Sequence, residues 1–146
     1  MATIVVGIDG KPASIAALRW AVDIARARGD GVLAVSCWSM GAVTAFPGAV
    51  LPIGSDQPAA MLRHLNDAVD ALGTHGDGVD VQTDVREGDA AEVLVDLSRD
   101  PSTAAIVVGR PEKEHFVERL VGSVITRLTH KADAVVVVVP AGEEQS

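Results

Sequence analysis

The sequence has few aromatic residues and one cysteine, and each scarcity excludes a class of protein. Aromatic residues make up 3% of the chain and tyrosine is absent, so aliphatic residues supply most of the 48% hydrophobic content. A core rich in valine and alanine favours parallel strands covered by helices on both faces. The single cysteine, Cys37, excludes an internal disulfide framework and a cysteine-ligated metal cluster.

The chain also lacks long apolar runs and an excess of positive charge. No run approaches the ~18 apolar residues of a membrane span, and the opening MATIVVGIDG has no basic region typical of a signal peptide. The formal net charge of −8 gives neither nucleic acid nor an anionic membrane any electrostatic attraction to the protein. We therefore expect a cytoplasmic protein with neither of these partners.

Motifs of enzyme and metal sites are missing as well. No two of the four histidines lie four residues apart, the spacing of a helical metal pair. The sequence contains no G-x-S-x-G nucleophile motif and no Ser-His-Asp order. We therefore predict no catalytic residues and no metal site made by protein groups alone.

Hydrophobic periodicity predicts one α/β domain over residues 1–146, with an open, mostly parallel sheet and right-handed crossovers. Short runs rich in β-branched residues predict strands at 3–9, 31–37, 79–85, 104–108 and 134–139. Apolar positions at helical spacing predict helices at 13–28, 58–73, 90–99 and 123–130. The alternation of residues 79–85 gives that strand one polar face, which is typical of an edge.

Two segments fall outside this pattern. The Ser39–Gln57 loop is long for a compact domain, and its apolar residues favour packing against the body or a partner over free mobility. Residues 141–146, which end in GEEQS, are predicted to form a disordered tail.

Two strand ends carry the residues that indicate a ligand. Gly109 ends the fourth predicted strand, and Gly122 with Ser123 opens the helix that follows. Backbone N–H groups and a hydroxyl at a helix N-terminus attract an anion. The first strand likewise ends in an acidic turn at Asp9. Together these features indicate a nucleotide site at the carboxyl ends of parallel strands.

Three segments resemble the universal stress protein family, in the family's order and at its separations. They are VVGIDGKPASIAALRWAVDIA, EGDAAEVLVDLSRDPSTAAIVVG and VGSVITRLTHKADAVVVVVP. The resemblance implies a five-stranded sheet in the order 3-2-1-4-5 with helices on both faces, the adenine nucleotide alpha hydrolase-like fold. It also implies a homodimer formed by antiparallel pairing of the last strand, Val135–Val139. That uncharged run would otherwise leave an unprotected sheet edge.

The resemblance also implies where a nucleotide binds. By it Asp9 contacts ribose, the Val35 backbone meets adenine and Val108 lines the base. Donors to phosphate come from Gly122, Ser123 and Val124. From the residues alone, Asp9 can equally serve the turn or cap a helix, and Ser123 can be a plain N-cap.

The phosphate loop departs from the pattern of ATP-binding members of that family. Their pattern is Gly, two residues, Gly, nine residues, then Gly with Ser or Thr; here Gly109 and Gly122-Ser123 fit, but Glu112 replaces the second glycine. A carboxylate about 4–6 Å from a phosphate repels it by several kcal/mol at an effective dielectric near 20. Pro111 removes one backbone N–H from the loop.

Two cations oppose this loss. Lys11 replaces a residue that is usually small in the family, and it either pairs with Glu112 or helps to hold a phosphate. Arg110 is either part of the phosphate site or a solvated surface charge. Mg²⁺ would turn Glu112 from an obstacle into a ligand.

The sequence therefore leaves two functions open. One is a dimeric stress-response sensor that binds an adenine nucleotide, ATP or AMP, without enzymatic activity beyond slow, incidental ATP hydrolysis. The other is an interaction module of the same fold that has lost ATP binding through Pro111 and Glu112. A nucleotidyl or phosphate transferase is the third and least favoured.

Overall fold

Five runs of mainly β-branched and small apolar residues form one parallel sheet. The computed structural model describes residues 1–38, 57–110 and 123–142. The strands are β1 (Thr3–Gly7), β2 (Gly31–Trp38), β3 (Val81–Glu87), β4 (Thr103–Gly109) and β5 (Val135–Val139). All neighbouring pairs are parallel and the spatial order is β3-β2-β1-β4-β5. This confirms the predicted fold class and strand order.

Two layers of helices cover the sheet. The helices are α1 (Pro12–Arg28), α2 (Gln57–Asp70), α3 (Ala90–Ser98) and α4 (Ser123–Lys131). On one face α1 and α2 pack on the sheet around Leu18, Val22 and Leu65, and on the other α3 and α4 pack around Leu94 and Leu128. These five side chains are at most 2% exposed, so each face has its own aliphatic core.

The residues at the helix ends explain where the helices begin and end. Pro12 is the first residue of α1, where its missing N–H is not needed. Gly29 ends that helix at φ 78°, a left-handed conformation suited to glycine. Asp89 caps α3, and its side chain accepts a hydrogen bond from the Glu92 N–H at 3.1 Å.

Three elements differ from their predicted bounds by two or more residues, each because of a tertiary partner or a backbone turn. β3 runs two residues later than the predicted 79–85, since its pairing with β2 extends from Val32 with Val81 to Trp38 with Glu87. The predicted helix 58–73 ends at Asp70, and Gly73 at φ 55° begins a 3₁₀ turn. β1 ends before Asp9, whose N–H turns to a side chain.

The two edge strands are protected differently. β3 is an edge of the described sheet, as predicted, and carries charged side chains such as Asp84 and Arg86. β5 is the other edge and consists of five valines, with Val135 64% exposed. Charged residues discourage strand addition, whereas an uncharged edge permits it. Only β5 is therefore suited to pair with another strand.

Among the helices of the three described ranges, none has the length and apolar character needed to cross a membrane. Several predictions lie outside the described residues, namely those on residues 39–56, on Pro111, Glu112 and Gly122, and on the tail from residue 143.

Candidate functional site at the carboxyl ends of β1 and β4

The strand order places a crevice between β1 and β4. β2 and β3 follow one another on one side of β1, whereas β4 and β5 lie on the other side. The strand order therefore reverses between β1 and β4. Open α/β sheets bind ligands at such a reversal, outside the carboxyl ends of the strands. Asp9 follows β1 and Arg110 follows β4, so the structure brings these two predicted site residues to the same edge.

The turn after β1 is held by hydrogen bonds of its own residues. The Asp9 carboxylate accepts from the Lys11 N–H at 2.9 Å, and the Asp9 N–H donates to the Ser14 hydroxyl at 3.3 Å. Gly10, between them, has φ 84°, which a side chain would make unfavourable. Asp9 is exposed, so it serves the turn and still presents a carboxylate oxygen to the crevice.

Two buried serines brace the same turn from below. The Ser14 hydroxyl donates to the Lys11 carbonyl at 2.9 Å, and the Ser36 hydroxyl on β2 donates to the Ile8 carbonyl at 2.9 Å. Ser14 is 3% exposed and Ser36 6%. A buried hydroxyl needs a hydrogen-bond partner, and these two find theirs on the backbone at both ends of the segment from Ile8 to Lys11.

Gly109 lies directly against the start of α1. A Cβ at this position would be 2.4 Å from the Ala13 carbonyl carbon and 2.6 Å from the Ser14 nitrogen. Gly109 is not among the positive-φ glycines of the described chain. It is therefore required for the close approach of β4 to α1, which closes one wall of the crevice.

The predicted base-lining residue, Val108, is part of the floor. It is 6% exposed, and its Cγ1 is 3.5 Å from the position that a Cβ on Gly7 would take. Val108 thus packs beside Leu94 next to Gly7, in the core on the α3 and α4 face of the sheet.

Backbone groups of β2 become available just beyond the end of β1. Odd-numbered residues of β2 face β1, since the Ile8 N–H donates to the Val35 carbonyl at 2.8 Å. Even-numbered residues face β3, since the Trp38 carbonyl accepts from the Gly88 N–H at 2.7 Å. The N–H and C=O of Cys37 therefore lie on the side of β2 that faces β1, but the pairing of the two strands ends at Val35. No backbone group of the described ranges bonds to either of them.

Because of this alternation, the Val35 carbonyl is not available for the contact with adenine predicted for it. Val35 is 1% exposed, and its carbonyl is already used by β1. The free donor and acceptor lie two residues further on, at Cys37. Sequence reasoning missed Cys37 because the available pair depends on where β1 ends relative to β2. A weak signal was Ser36, a polar residue inside an apolar strand.

The Cys37 side chain is not reactive. It points into the core with 6% exposure. Burial, followed by the nearby Asp89 carboxylate, raises the pKa of the thiol to about 11. The thiol is therefore protonated at neutral pH and behaves as a small apolar group.

Two exposed cations lie at this edge. Lys11 is the N-cap of α1 and Arg110 follows β4, where its N–H donates to the Val139 carbonyl at 2.7 Å. Neither side chain forms an ion pair with another residue of the described ranges. Among the described residues both side chains therefore lack a counter-charge, and the predicted pairing of Lys11 with Glu112 falls outside those residues.

The helix predicted to bind phosphate begins at Ser123. Ser123 is exposed and Val124 half-buried, and they form the first turn of α4. The first N–H groups of a helix have no partner within it, and α4 packs beside α3 at this edge. The predicted donor Gly122 lies outside the described residues.

An ion pair that the sequence did not predict joins the start of α3 to the middle of α4. The Arg127 guanidinium on α4 contacts the Asp89 carboxylate at 2.9 Å and the Glu92 carboxylate at 3.6 Å. The three residues are 38 or fewer positions apart, but no pattern along the chain relates them. Only the packing of α4 on α3 brings them together.

The assembled groups are of the kind that bind a ligand. In the described ranges no group of three or more histidine, cysteine, aspartate or glutamate side chains is arranged to hold a metal ion. The crevice instead offers one backbone donor–acceptor pair, an aspartate, two cations and a helix start. These groups match a ligand with a hydrogen-bonding ring, hydroxyls and negative charge.

Comparison with known proteins gives a consistent family. The sequence profile of the universal stress protein family matches residues 1–140. Universal stress protein Rv2624c of Mycobacterium tuberculosis is 34% identical over 146 residues, which cover 99% of this chain and 50% of the relative. The chain thus spans about half the length of the curated relatives it matches.

Solved structures share the fold. A crystal structure of a universal stress protein in complex with cAMP matches with a TM-score of 0.67 at 24% identity, covering 97% of this chain and 98% of the other. The universal stress protein from Archaeoglobus fulgidus in complex with dAMP matches with a TM-score of 0.67 at 23% identity, covering 95% and 98%. At these identities the likeness establishes the fold alone.

Proposed function

Because the chain belongs to the universal stress protein family, we propose that it binds an adenine nucleotide in the crevice between β1 and β4 and acts as a stress-response sensor. The observation that carries this proposal is the N–H and C=O of Cys37, to which no backbone group of the described ranges bonds. An adenine edge offers a complementary acceptor and donor. Relatives of this fold were solved with cAMP and dAMP, which supports the same ligand class.

We assign the nucleotide's parts to the edge as follows. The Cys37 backbone, rather than that of Val35, meets adenine, and Val108 lines the base. The exposed Asp9 carboxylate accepts from the ribose hydroxyls. The start of α4 at Ser123 and Val124 receives the phosphate, because helix N-termini favour anions.

The remaining predicted phosphate groups complete the assignment. Lys11 and Arg110 supply positive charge at the same edge, and Gly109 holds β4 against α1. Gly122 stays a proposed donor. Glu112 opposes the added charge of a triphosphate, so we propose a preference for fewer phosphates, as in AMP, unless Mg²⁺ bridges Glu112 and the nucleotide.

We further propose that the protein is a cytoplasmic homodimer joined through β5. The five valines of Val135–Val139 form an uncharged edge, and antiparallel pairing with the same strand of a second copy covers its unpaired backbone groups. With no nucleophile and general base assembled among the described residues, we propose a binding protein whose ATP hydrolysis is at most slow and incidental.

A second function is favoured by the composition of the phosphate loop. Pro111 lacks an N–H and Glu112 carries a charge that repels phosphate. If these residues abolish nucleotide binding, the same fold serves as a protein-interaction module. The two functions therefore differ in one measurable property, the affinity for nucleotide.

The deciding experiment is calorimetric titration of the purified protein with ATP, ADP, AMP and cyclic AMP, with and without Mg²⁺. A Glu112→Gly variant is titrated in parallel. We expect the wild type to bind AMP more tightly than ATP without Mg²⁺, and the variant to reverse that order. Wild-type protein that binds none of the four would refute the sensor. Binding by the variant alone would favour the interaction module.

A further inference from the structure

Arg127 is placed between two carboxylates at the start of α3. Its Nη1 is 2.9 Å from the Asp89 carboxylate and its Nη2 is 3.6 Å from that of Glu92. Asp89 is also the N-cap of α3, so its carboxylate accepts from both the Glu92 N–H and the arginine. One guanidinium therefore offsets one of the two negative charges and contacts both carboxylates.

This ion pair lies between the two ends of the proposed nucleotide site. Gly88, just before Asp89, donates its N–H to the Trp38 carbonyl at the end of β2. The Asp89 carboxylate is near enough to Cys37 to act on its thiol. On the other side, Arg127 is four residues after Ser123 and lies on the same side of α4. Asp89 thus adjoins the base end, and Arg127 the phosphate end.

Without the arginine, the start of α3 would present two carboxylates beside the helix start where phosphate is received. Like charges at this distance repel an anionic ligand, and the repulsion grows with each phosphate. We propose that Arg127 cancels one of the two negative charges of Asp89 and Glu92 and thereby determines how many phosphates the site accepts. This inference rests on the proposed nucleotide function.

The exposure of the ion pair makes an electrostatic role separable from a structural one. The side chain of Arg127 is 41% exposed, that of Asp89 49% and that of Glu92 72%. Solvated ion pairs contribute little to folding. α4 is held mainly by Leu128, which is fully buried in the core. Replacing Arg127 should therefore leave the fold intact.

The test compares adenosine, AMP and ADP as ligands of wild type and an Arg127→Met variant, by calorimetry at low ionic strength without Mg²⁺. Methionine keeps the length of the side chain and removes its charge. We expect the adenosine affinity to be unchanged. The affinity should fall roughly fourfold for AMP and roughly eightfold for ADP, which is the Coulomb energy in water of one charge about 10 Å from two or three phosphate charges. In 1 M salt, where the screening length is about 3 Å, the losses should disappear.

Three further variants separate neutralisation from other effects. Arg99→Met removes a similarly paired arginine from the other end of α3, 57% exposed and 3.4 Å from Asp96, and should bind like wild type. Arg127→Lys should restore most of the AMP affinity. Adding Glu92→Gln to Arg127→Met should also restore it, because one repelling carboxylate is removed.

Equal losses for adenosine and ADP, or losses that persist in 1 M salt, would overturn the inference and leave a structural role. Failure of Glu92→Gln to restore affinity would overturn it in favour of direct contact between Arg127 and phosphate. If the wild type binds none of the three ligands, the proposed function fails and this inference with it. If the wild type binds and Arg127→Met binds equally well, only the inference fails.

Discussion

Gly109→Ala should destabilise the protein even in the absence of any ligand. The added Cβ would lie 2.4 Å from the Ala13 carbonyl carbon and 2.6 Å from both the Ala13 oxygen and the Ser14 nitrogen. Carbon atoms normally approach to about 3.5 Å, so β4 and α1 must separate by roughly 1 Å. All three atoms belong to the backbone, and no rotamer change relieves the overlap.

The expected loss follows from the cost of overpacking. Inserting a methyl group into a packed site costs about 1–3 kcal/mol, and more where the neighbours cannot move. We expect about 3 kcal/mol, a large part of the roughly 5–15 kcal/mol that stabilises a domain. For a chain of this size that corresponds to a fall in Tm of about 6–12 °C.

Urea unfolding followed by circular dichroism measures the free energy directly, with Gly7→Ala as the matched control. The added Cβ on Gly7, at the end of β1, would be 3.2 Å from Leu94 Cδ1, a terminal methyl group that can rotate. The control should lose less than about 1 kcal/mol. The reasoning is refuted if Gly109→Ala is as stable as wild type, or if Gly7→Ala loses more.

The remaining predictions concern Asp30, just before β2, and the edge strand β5. The hydrogen bond from Arg28, then that from the Ala2 N–H, lowers the pKa of Asp30 below its ordinary 3.8. The ionised carboxylate therefore stabilises the fold above that value, and this stability is lost as the pH falls through the lowered pKa. Asp30→Asn should be less stable at pH 7, and the gap in urea midpoint should close between about pH 5 and pH 2; a gap independent of pH would contradict this. Val137→Asp should give monomer or insoluble protein on analytical ultracentrifugation, whereas an unchanged dimer would exclude pairing through β5.

The strands were predictable because each is a short run of branched apolar residues with turn residues at its ends. The boundary of β3 was not, since it depends on β2 extending to Trp38, which pairs with Glu87. Gly109 was correctly placed at the end of β4, but its purpose was not. The structure places it in contact with the Ala13 backbone without a positive φ, and this contact is a tertiary relation that no local pattern encodes.

The two ends of the candidate site differ in what determines them, backbone geometry at one end and individual side-chain charges at the other. They should therefore differ in their tolerance to mutation. The base end consists of the Cys37 backbone and the turn held by Ser14 and Ser36. Their geometry follows from strand alternation and buried hydroxyls, so substitutions that keep the fold should keep this end. The phosphate end depends on individual side-chain charges, those of Lys11 and Arg127 among them. A single charge change should therefore alter which nucleotide binds before it abolishes adenine recognition, and adenosine affinity should vary less than ADP affinity across charge variants.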